Sequence, residues 1–337
     1  MSEIIIDKNA YLHNLTQISN KVGDKEKVIA VLKDNAYGHG ASLMAKLASE
    51  FGIKWACVKS TREAEEISPF FENIIVLSHI PTGDENPKFI YAINDISNLL
   101  NLKKGLKVHL AIDTMMHRNG LKLGDLQSAF EIAKKMDLKI CGAYTHFRSS
   151  DEFSAEYFVQ KENFEIAKAR LRELFDKFNL PKGVFHSHNS AALERATDLG
   201  DELVRVGIAQ FGYAQFNDSL NLKKVLSLWA HRVSKRVLAK GECVGYGGVF
   251  VASLDLDIAT YDLGYGDGLL RYCGIGDLHL ANGQKVLGKM SMDSFSTIDA
   301  GSKVCVFDDA NVWAEFFRTI SYDILVKLSK DIPRKII

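Results

Sequence analysis

Eight short runs of β-branched or apolar residues recur along the first two thirds of the chain at 28–32, 55–58, 74–77, 89–93, 106–112, 138–144, 184–187 and 203–206. Segments of helical period separate most of them, such as 121–136 and 158–178, where apolar residues fall at three- and four-residue steps and charges fill the other face. Near-continuous apolar strands that alternate with helices predict a parallel sheet covered by helices. Eight such units within about 200 residues suit a closed (β/α)8 barrel better than an open doubly wound sheet.

A chain of 337 residues has room for a second domain. After residue 222 the pattern changes: runs at 230–238, 249–252, 257–262, 286–289, 295–298 and 304–307 are short and punctuated by Gly or Asp, as in an antiparallel β domain. The expected division is a barrel over 8–222 and a β domain over 223–337. The strand-like 4–6, within 1–7, joins that domain from the far end, and a helix over 321–329 closes the chain. The 42 basic and 42 acidic residues balance, which argues against a nucleic-acid partner. No run of about 18 apolar residues and no leader pattern occurs, so a membrane partner is not expected. Cys57, Cys141, Cys243, Cys273 and Cys305 are scattered without CxxC spacing, as expected of reduced thiols in a cytoplasmic protein.

The most chemical segment is VIAVLKDNAYGHG over 28–40, in which Lys33 ends a buried strand and a glycine-rich turn follows. Barrel enzymes carry their reactive groups at the C-terminal ends of strands, and an amine in an apolar setting suits Schiff-base chemistry. A charged residue inside VRVGI, Arg205, needs an anionic or acceptor partner if it is buried. His186 and His188 stand two apart on a predicted strand, but no third ligand accompanies them and no metal is expected.

The 28–40 segment closely resembles the pyridoxal-phosphate lysine motif of alanine racemases, and further matches follow in order nearly to the C-terminus. The resemblance implies an isomerase that uses pyridoxal 5'-phosphate, held covalently by Lys33, with Tyr37 helping to hold the phosphate. Asn189-Ser190 in FHSHNSAA resembles the family's phosphate element, and Arg205-Val-Gly207-Ile208 its Arg-x-Gly-Ile strand, whose arginine faces the cofactor's pyridine nitrogen. Tyr246 in GECVGYGG matches the catalytic tyrosine, and His146 in GAYTHF the histidine that links it to that arginine, giving an expected Tyr246–His146–Arg205 chain. Racemisation needs a base on each face of Cα, and the resemblance gives these roles to Lys33 and Tyr246.

For the substrate carboxylate, the resemblance points to Arg118 in IDTMMHRNG and to Met292-Asp293 in GKMSMDS, with Tyr265 and Asp267 of LGYGDGLLR nearer the entrance. It also implies a homodimer in which Tyr246, Met292 and Asp293 reach the partner's site. The chain departs from the family pattern in several places. Met115 and His117 replace two glycines, and Ser291 stands where cysteine is common. Ala111 occupies the place of a carbamylated lysine that supports the arginine, and Lys330 precedes the closing Asp-Ile-Pro-Arg where a tyrosine is usual. With that lysine gone, other groups, His117 among them, are candidates to hold Arg118. Interconversion of L- and D-alanine, supplying D-alanine for peptidoglycan, is the implied function. The alternatives are a broader racemase that also accepts serine, a non-catalytic pyridoxal-phosphate carrier, a decarboxylase of the same architecture and a cofactor-free aldolase. The long segment after residue 222 argues against the carrier, and the paired phosphate elements against the aldolase.

Overall fold

In the computed structural model, which describes residues 1–337, the chain divides into two compact units. One comprises 12–34 and 41–223; the other comprises 1–11, 35–40 and 224–337. Strand β1 (Glu3–Ile6) belongs to the second, and helix α1 (Lys8–Val22) leads into the first.

The first unit is an eight-stranded parallel sheet built from β2 (Val28–Val31), β3 (Trp55–Val58), β4 (Asn73–Val76), β5 (Ile90–Ile93), β6 (Lys107–Ala111), β7 (Lys139–Tyr144), β8 (Val184–His186) and β9 (Val204–Val206). They pair in sequence order, and β9 returns to lie beside β2. Between β8 and β9 the ring is drawn together by two backbone bonds, Leu203 N–H to Phe185 O and Arg205 N–H to His188 O, both 2.9 Å. The (β/α)8 expectation therefore holds. The strands read as unbroken apolar runs because both faces are buried: every residue of VIAV in β2 and IYAI in β5 lies inside. Helices α2 (Lys33–Tyr37), α3 (Ala41–Phe51), α4 (Thr61–Ile67), α5 (Leu126–Lys135), α6 (Glu156–Lys177) and α7 (Ser190–Arg195) fill most of the crossovers.

In the second unit the long strand β10 (Leu226–Leu238) is the spine. It pairs antiparallel with β1, with β13 (Leu256–Tyr261) and with β15 (Lys303–Phe307); β13 in turn pairs with β14 (Phe295–Ile298). A small hairpin, β11 (Cys243–Val244) with β12 (Phe250–Val251), carries the loop of Tyr246. Helices α8 (Ala310–Phe317) and α9 (Ser321–Val326) precede β16 (Arg334–Ile336), which runs parallel to β1. The sheet is mainly antiparallel, and β1 joins it as the sequence implies. The run at 286–289 forms no strand, only an isolated bridge from Leu287 to Ser296. Gly288 explains this: it sits at φ +67°, and a Cβ there would lie 2.4 Å from the carbonyl oxygen of Val244, so the backbone bends where a ladder would run straight. None of the helices is long and apolar enough to cross a membrane.

Glu3 ties three strands of this sheet together. Its buried carboxylate bonds Lys303 of β15 and Lys335 of β16, and His231 of β10 lies 3.8 Å away. The bonds from the two lysines hold its pKa well below the usual 4.5, at about 2. Because the folded value is depressed, the stabilisation is complete above about pH 4.5 and is lost as pH falls towards 2. Glu3→Gln should therefore cost on the order of 1–2 kcal/mol near neutrality, after allowance for the partly exposed lysines. The gap between wild type and variant should close as denaturant unfolding is repeated down through that window. A gap that is constant with pH would remove the ion pairs from the account.

Candidate active site

Lys33 follows the C-terminal end of β2, and the four residues after it, Asp34, Asn35, Ala36 and Tyr37, all have φ between +51° and +57°. Helix α2 is thus a left-handed turn. Ala36 and Tyr37 in that conformation cost about 1–2 kcal/mol each, while Asp34 and Asn35 tolerate it better, so the turn persists because its surroundings hold it. At its start Glu63 Oε1 accepts the Asp34 N–H (2.7 Å), while Oε2 accepts the N–H of Lys59 (2.8 Å). At its end the buried His39 Nδ1 donates to the carbonyls of Ala36 (3.1 Å) and Tyr37 (2.9 Å), and Arg334 donates to Gly38 O (2.9 Å). Burial keeps His39 neutral, its pKa pushed down to about 3. Gly38 itself is obligatory, since a Cβ would lie 2.1 Å from Leu325 O. Lys33 Nζ makes no hydrogen bond or ion pair in this arrangement, and the amine is left for chemistry.

Arg205, in β9, is 5% exposed. Its NH1 donates to His186 Nδ1 (2.7 Å) and His186 O (2.5 Å), and its NH2 to Thr145 O (2.6 Å) and Ser187 O (3.2 Å). Four of its five N–H groups are engaged by neutral acceptors, which leaves Nε–H. Since a guanidinium only donates, His186 Nδ1 accepts; its Nε2–H then donates to His109 Nδ1, 2.9 Å away. Desolvation, reinforced by the Arg205 charge, holds His109 down to about 3 and His186 well below its ordinary value, so both rings stay neutral. Gly142 makes room for this pair, because a Cβ there would lie 2.6 Å from His109 Nε2. Tyr144 stacks on His186 at 5.0 Å, and the guanidinium lies 5.2 Å from the same tyrosine ring. The Arg205 side chain therefore meets His186, not His146, within the hydrogen-bonding shell. His188, two residues on, belongs to a different network with Ser187 and Glu202.

Asn189 caps α7, its Oδ1 accepting the Ala192 N–H (2.9 Å) and the Ser150 hydroxyl (2.9 Å). Ser190 Oγ accepts the N–H groups of Gly207 (3.1 Å) and Ala209 (3.3 Å), which joins the α7 start to the Gly207-Ile208 turn. These bonds fix the position of the α7 start against the Gly207-Ile208 turn.

Arg118 is exposed and makes no hydrogen bond or ion pair. It lines a cavity of about 50 Å³ with Asn94, Ala111, Tyr144, Asn119 and His146. The two residues that replace family glycines keep a glycine-like backbone: Met115 has φ +123° and His117 φ +55°. Asp113 holds that strained loop, accepting the N–H groups of Met115 and His117 (3.0 Å each) and facing His117 Nδ1 (3.0 Å). His117 is thus engaged with Asp113 and not with Arg118. Ala111 packs with Ala92, Leu77 and the ring of Tyr144, whose hydroxyl donates to Asn94 Oδ1 (3.2 Å). Desolvation together with the charges of Arg205, Arg118 and Lys33 pushes His146 down to about 3; its ring is exposed, so the three cations are the more durable cause.

In the second unit, Tyr37 meets the ring of Tyr322 from α9 at 5.7 Å, a partner that no local motif announced. Tyr246 is 63% exposed between Gly245 and Gly247, both at positive φ, and Met292 is 54% exposed. The N–H of Gly266 donates to Met292 O (2.8 Å), which sets the Tyr265 and Asp267 turn beside Met292-Asp293. The guanidinium of Arg271, which the motif reading passed over, lies 5.5 Å from the Tyr265 ring.

A (β/α)8 barrel with a strand-end lysine and a buried arginine, followed by a β domain, defines the barrel class of pyridoxal-phosphate enzymes. The alanine racemase N-terminal domain matches residues 6–215 and the alanine racemase C-terminal domain residues 225–336. The chain belongs to the alanine racemase family. It is 65% identical to an alanine racemase of Campylobacter concisus and 54% identical to one of Campylobacter jejuni, each over the whole of both chains. Among solved structures it resembles the alanine racemase of Clostridium difficile (25% identity, TM-score 0.90) and that of Bacillus anthracis with bound L-Ala-P (26%, 0.87). Each covers all of this chain and 95% of the other. Family membership makes the chain an isomerase and pyridoxal 5'-phosphate its cofactor. The residues fit that group: a partnerless amine and a single spare guanidinium N–H.

The clamp on the left-handed turn is directly testable. Glu63→Ala removes an acceptor from the partly buried N–H groups of Asp34 and Lys59, so thermal unfolding should report a loss of about 1 kcal/mol. Racemase activity at a temperature where the variant is fully folded should fall as well. Full activity in the folded variant would show that the turn holds without Glu63.

Proposed function

We propose that this chain interconverts L-alanine and D-alanine by a two-base mechanism in which Lys33 and Tyr246 serve opposite faces of Cα. The observation that carries the reading is the partnerless amine of Lys33 beyond the C-terminal end of β2, in a barrel where Arg118 and Arg205 act on the same buried surroundings. Bound pyridoxal 5'-phosphate supplies the electron sink that acidifies the Cα proton. Lys33 would hold the cofactor; Tyr37, Asn189, Ser190, Gly207 and Ile208 would hold its phosphate. Arg205 would face the pyridine nitrogen through its remaining N–H, and since a guanidinium retains its proton, that nitrogen stays unprotonated. A weaker sink biases the site towards simple proton exchange.

Arg118 would take the substrate carboxylate, with Met292, Asp293 and Tyr265 completing the pocket. Tyr246 takes or returns the proton on the face away from Lys33. A tyrosine needs hydrogen bonds or positive charge to act as a base near neutrality. The neutral His146 is the family's link for it. The exposure of Tyr246 and Met292 supports a homodimer in which each β unit completes the partner's site. The setting is a bacterial cytoplasm, with D-alanine destined for peptidoglycan.

Purified protein loaded with cofactor should drive the circular dichroism of L-alanine to zero in D2O while exchanging the Cα proton. Lys33→Ala should lose covalently bound cofactor. Tyr246→Phe should keep it yet slow exchange from one enantiomer by about 100-fold or more. Equal deuterium uptake from both enantiomers by wild type and Tyr246→Phe would take the tyrosine out of the mechanism. Unchanged alanine in the presence of bound cofactor would redirect the reading to another amino acid.

A further inference from the structure

Behind the cofactor side of the barrel lies a buried ion pair that no step above uses. Glu202, just before β9, and Lys168, on α6, meet at 2.7 Å, and their side chains are 4% and 5% exposed. Lys168 also meets the half-exposed Glu165 at 2.7 Å, so it is the Glu202 carboxylate that is left without a lysine when the pair is broken, whereas replacing both partners by neutral groups is often tolerated. A pair this costly needs a reason to be where it is. The second oxygen of Glu202 accepts the N–H of Ser187 (2.8 Å) and its hydroxyl (2.5 Å). Because Ser187 Oγ donates there, it accepts from His188 Nδ1 at 3.1 Å, and the imidazole lies 3.5 Å from the same carboxylate. Burial works against ionisation, but the contacts of His188 and Lys168 prevail and hold Glu202 at about 2.

The segment fixed in this way, Ser187-His188, is the one on which both halves of the cofactor site depend. Ser187 O accepts Arg205 NH2, and His188 O accepts the Arg205 main-chain N–H. The next two residues are Asn189, the cap of α7, and Ser190, which binds the N–H groups of Gly207 and Ala209. We infer that Glu202, oriented by Lys168, is a positioning residue: through Ser187 and His188 it sets the distance between the Arg205 guanidinium and the phosphate-binding turn. The inference rests on the cofactor reading above. A carboxamide at 202 keeps an acceptor but loses the charge that orders Ser187, His188 and Lys168 together.

The test compares holoenzymes of wild type, Glu202→Gln, Lys168→Met, the double variant and Ser187→Ala. Cofactor retention is read from the decay of the visible cofactor absorption on dilution, stability from thermal unfolding, and kcat and KM for alanine separately. Glu202→Gln should release the cofactor about tenfold faster and lower kcat with little change in KM, since Arg118 is untouched. The double variant should regain thermal stability without regaining retention. Ser187→Ala should shift retention in the same direction by a smaller factor, which decides the matter if Glu202→Gln does not fold. Retention that follows stability across all variants, or wild-type retention in folded Glu202→Gln or Ser187→Ala, would reduce the pair to a structural role. A wild-type protein that stays colourless with added cofactor would overturn both this inference and the cofactor reading. A coloured wild type with unaltered variants overturns this inference alone.

Discussion

A permanently charged guanidinium held inside the barrel unit is the constraint on which much of the site depends. Taking such an ion out of water is expensive unless its donors are met, and Arg205 is met by neutral acceptors. Three are carbonyls, of Thr145, His186 and Ser187, where β7 and β8 end; the fourth is an imidazole. That choice has consequences further back. His186 must accept on Nδ1, so it must carry its proton on Nε2, so His109 must accept in turn, and both rings must be neutral. One fixed donor thus sets two tautomers, and the ring of His109 requires a glycine at position 142 on the neighbouring strand.

Strain is concentrated where the chemistry is expected. Of the four consecutive left-handed residues after Lys33, Ala36 and Tyr37 carry most of the strain, about 2–4 kcal/mol together at ordinary penalties, a sizeable fraction of a domain's net stability. Glu63 at one end and His39 and Arg334 at the other bond the backbone of the turn or of Gly38 beside it, as though the conformation were over-determined on purpose. The Arg118 loop repeats the device on a smaller scale. Side chains have replaced glycine at Met115 and His117 but the backbone has not relaxed, because Asp113 holds both N–H groups.

The barrel was legible in the sequence because parallel strands are buried on both faces, and a run such as VIAV admits few other readings. The run at 286–289 looked equally strand-like, and only the approach of Gly288 to Val244, a residue more than forty positions away, prevents a ladder there. The site divided in the same way. Lys33, Arg205 and Asn189-Ser190 announced themselves through local strings. His186 looked like one half of a pair with His188, since period-two alternation puts both on one face. The strand ends at His186, and the two rings enter separate networks. Glu63 shows in the sequence only as the last residue of the Ser60-Thr-Arg-Glu63 helix start, which says nothing of its bond to Asp34, and Tyr322 and Glu202 matter through contacts that span many residues of sequence.

The charge balance of the whole chain conceals a local imbalance. Lys33, Arg118 and Arg205 all bear on His146, and two of them also on Cys57; no acidic residue is among the causes that shift either group. Of the carboxylates nearby, Asp34 is paired with Lys59 and Glu202 with Lys168, although the Glu202 charge still favours the ionised Arg205. A neutral chain with a cationic centre of this kind suits ligands that bring their own negative charge. A phosphate-bearing cofactor and a carboxylate-bearing substrate are two such ligands. Burial and the Arg205 charge keep His109 and His186 neutral, and the three cations lower His146, which prevents the centre from gaining still more positive charge as pH falls. The polar groups that remain ionised near the reacting atoms are then the ones the reaction needs.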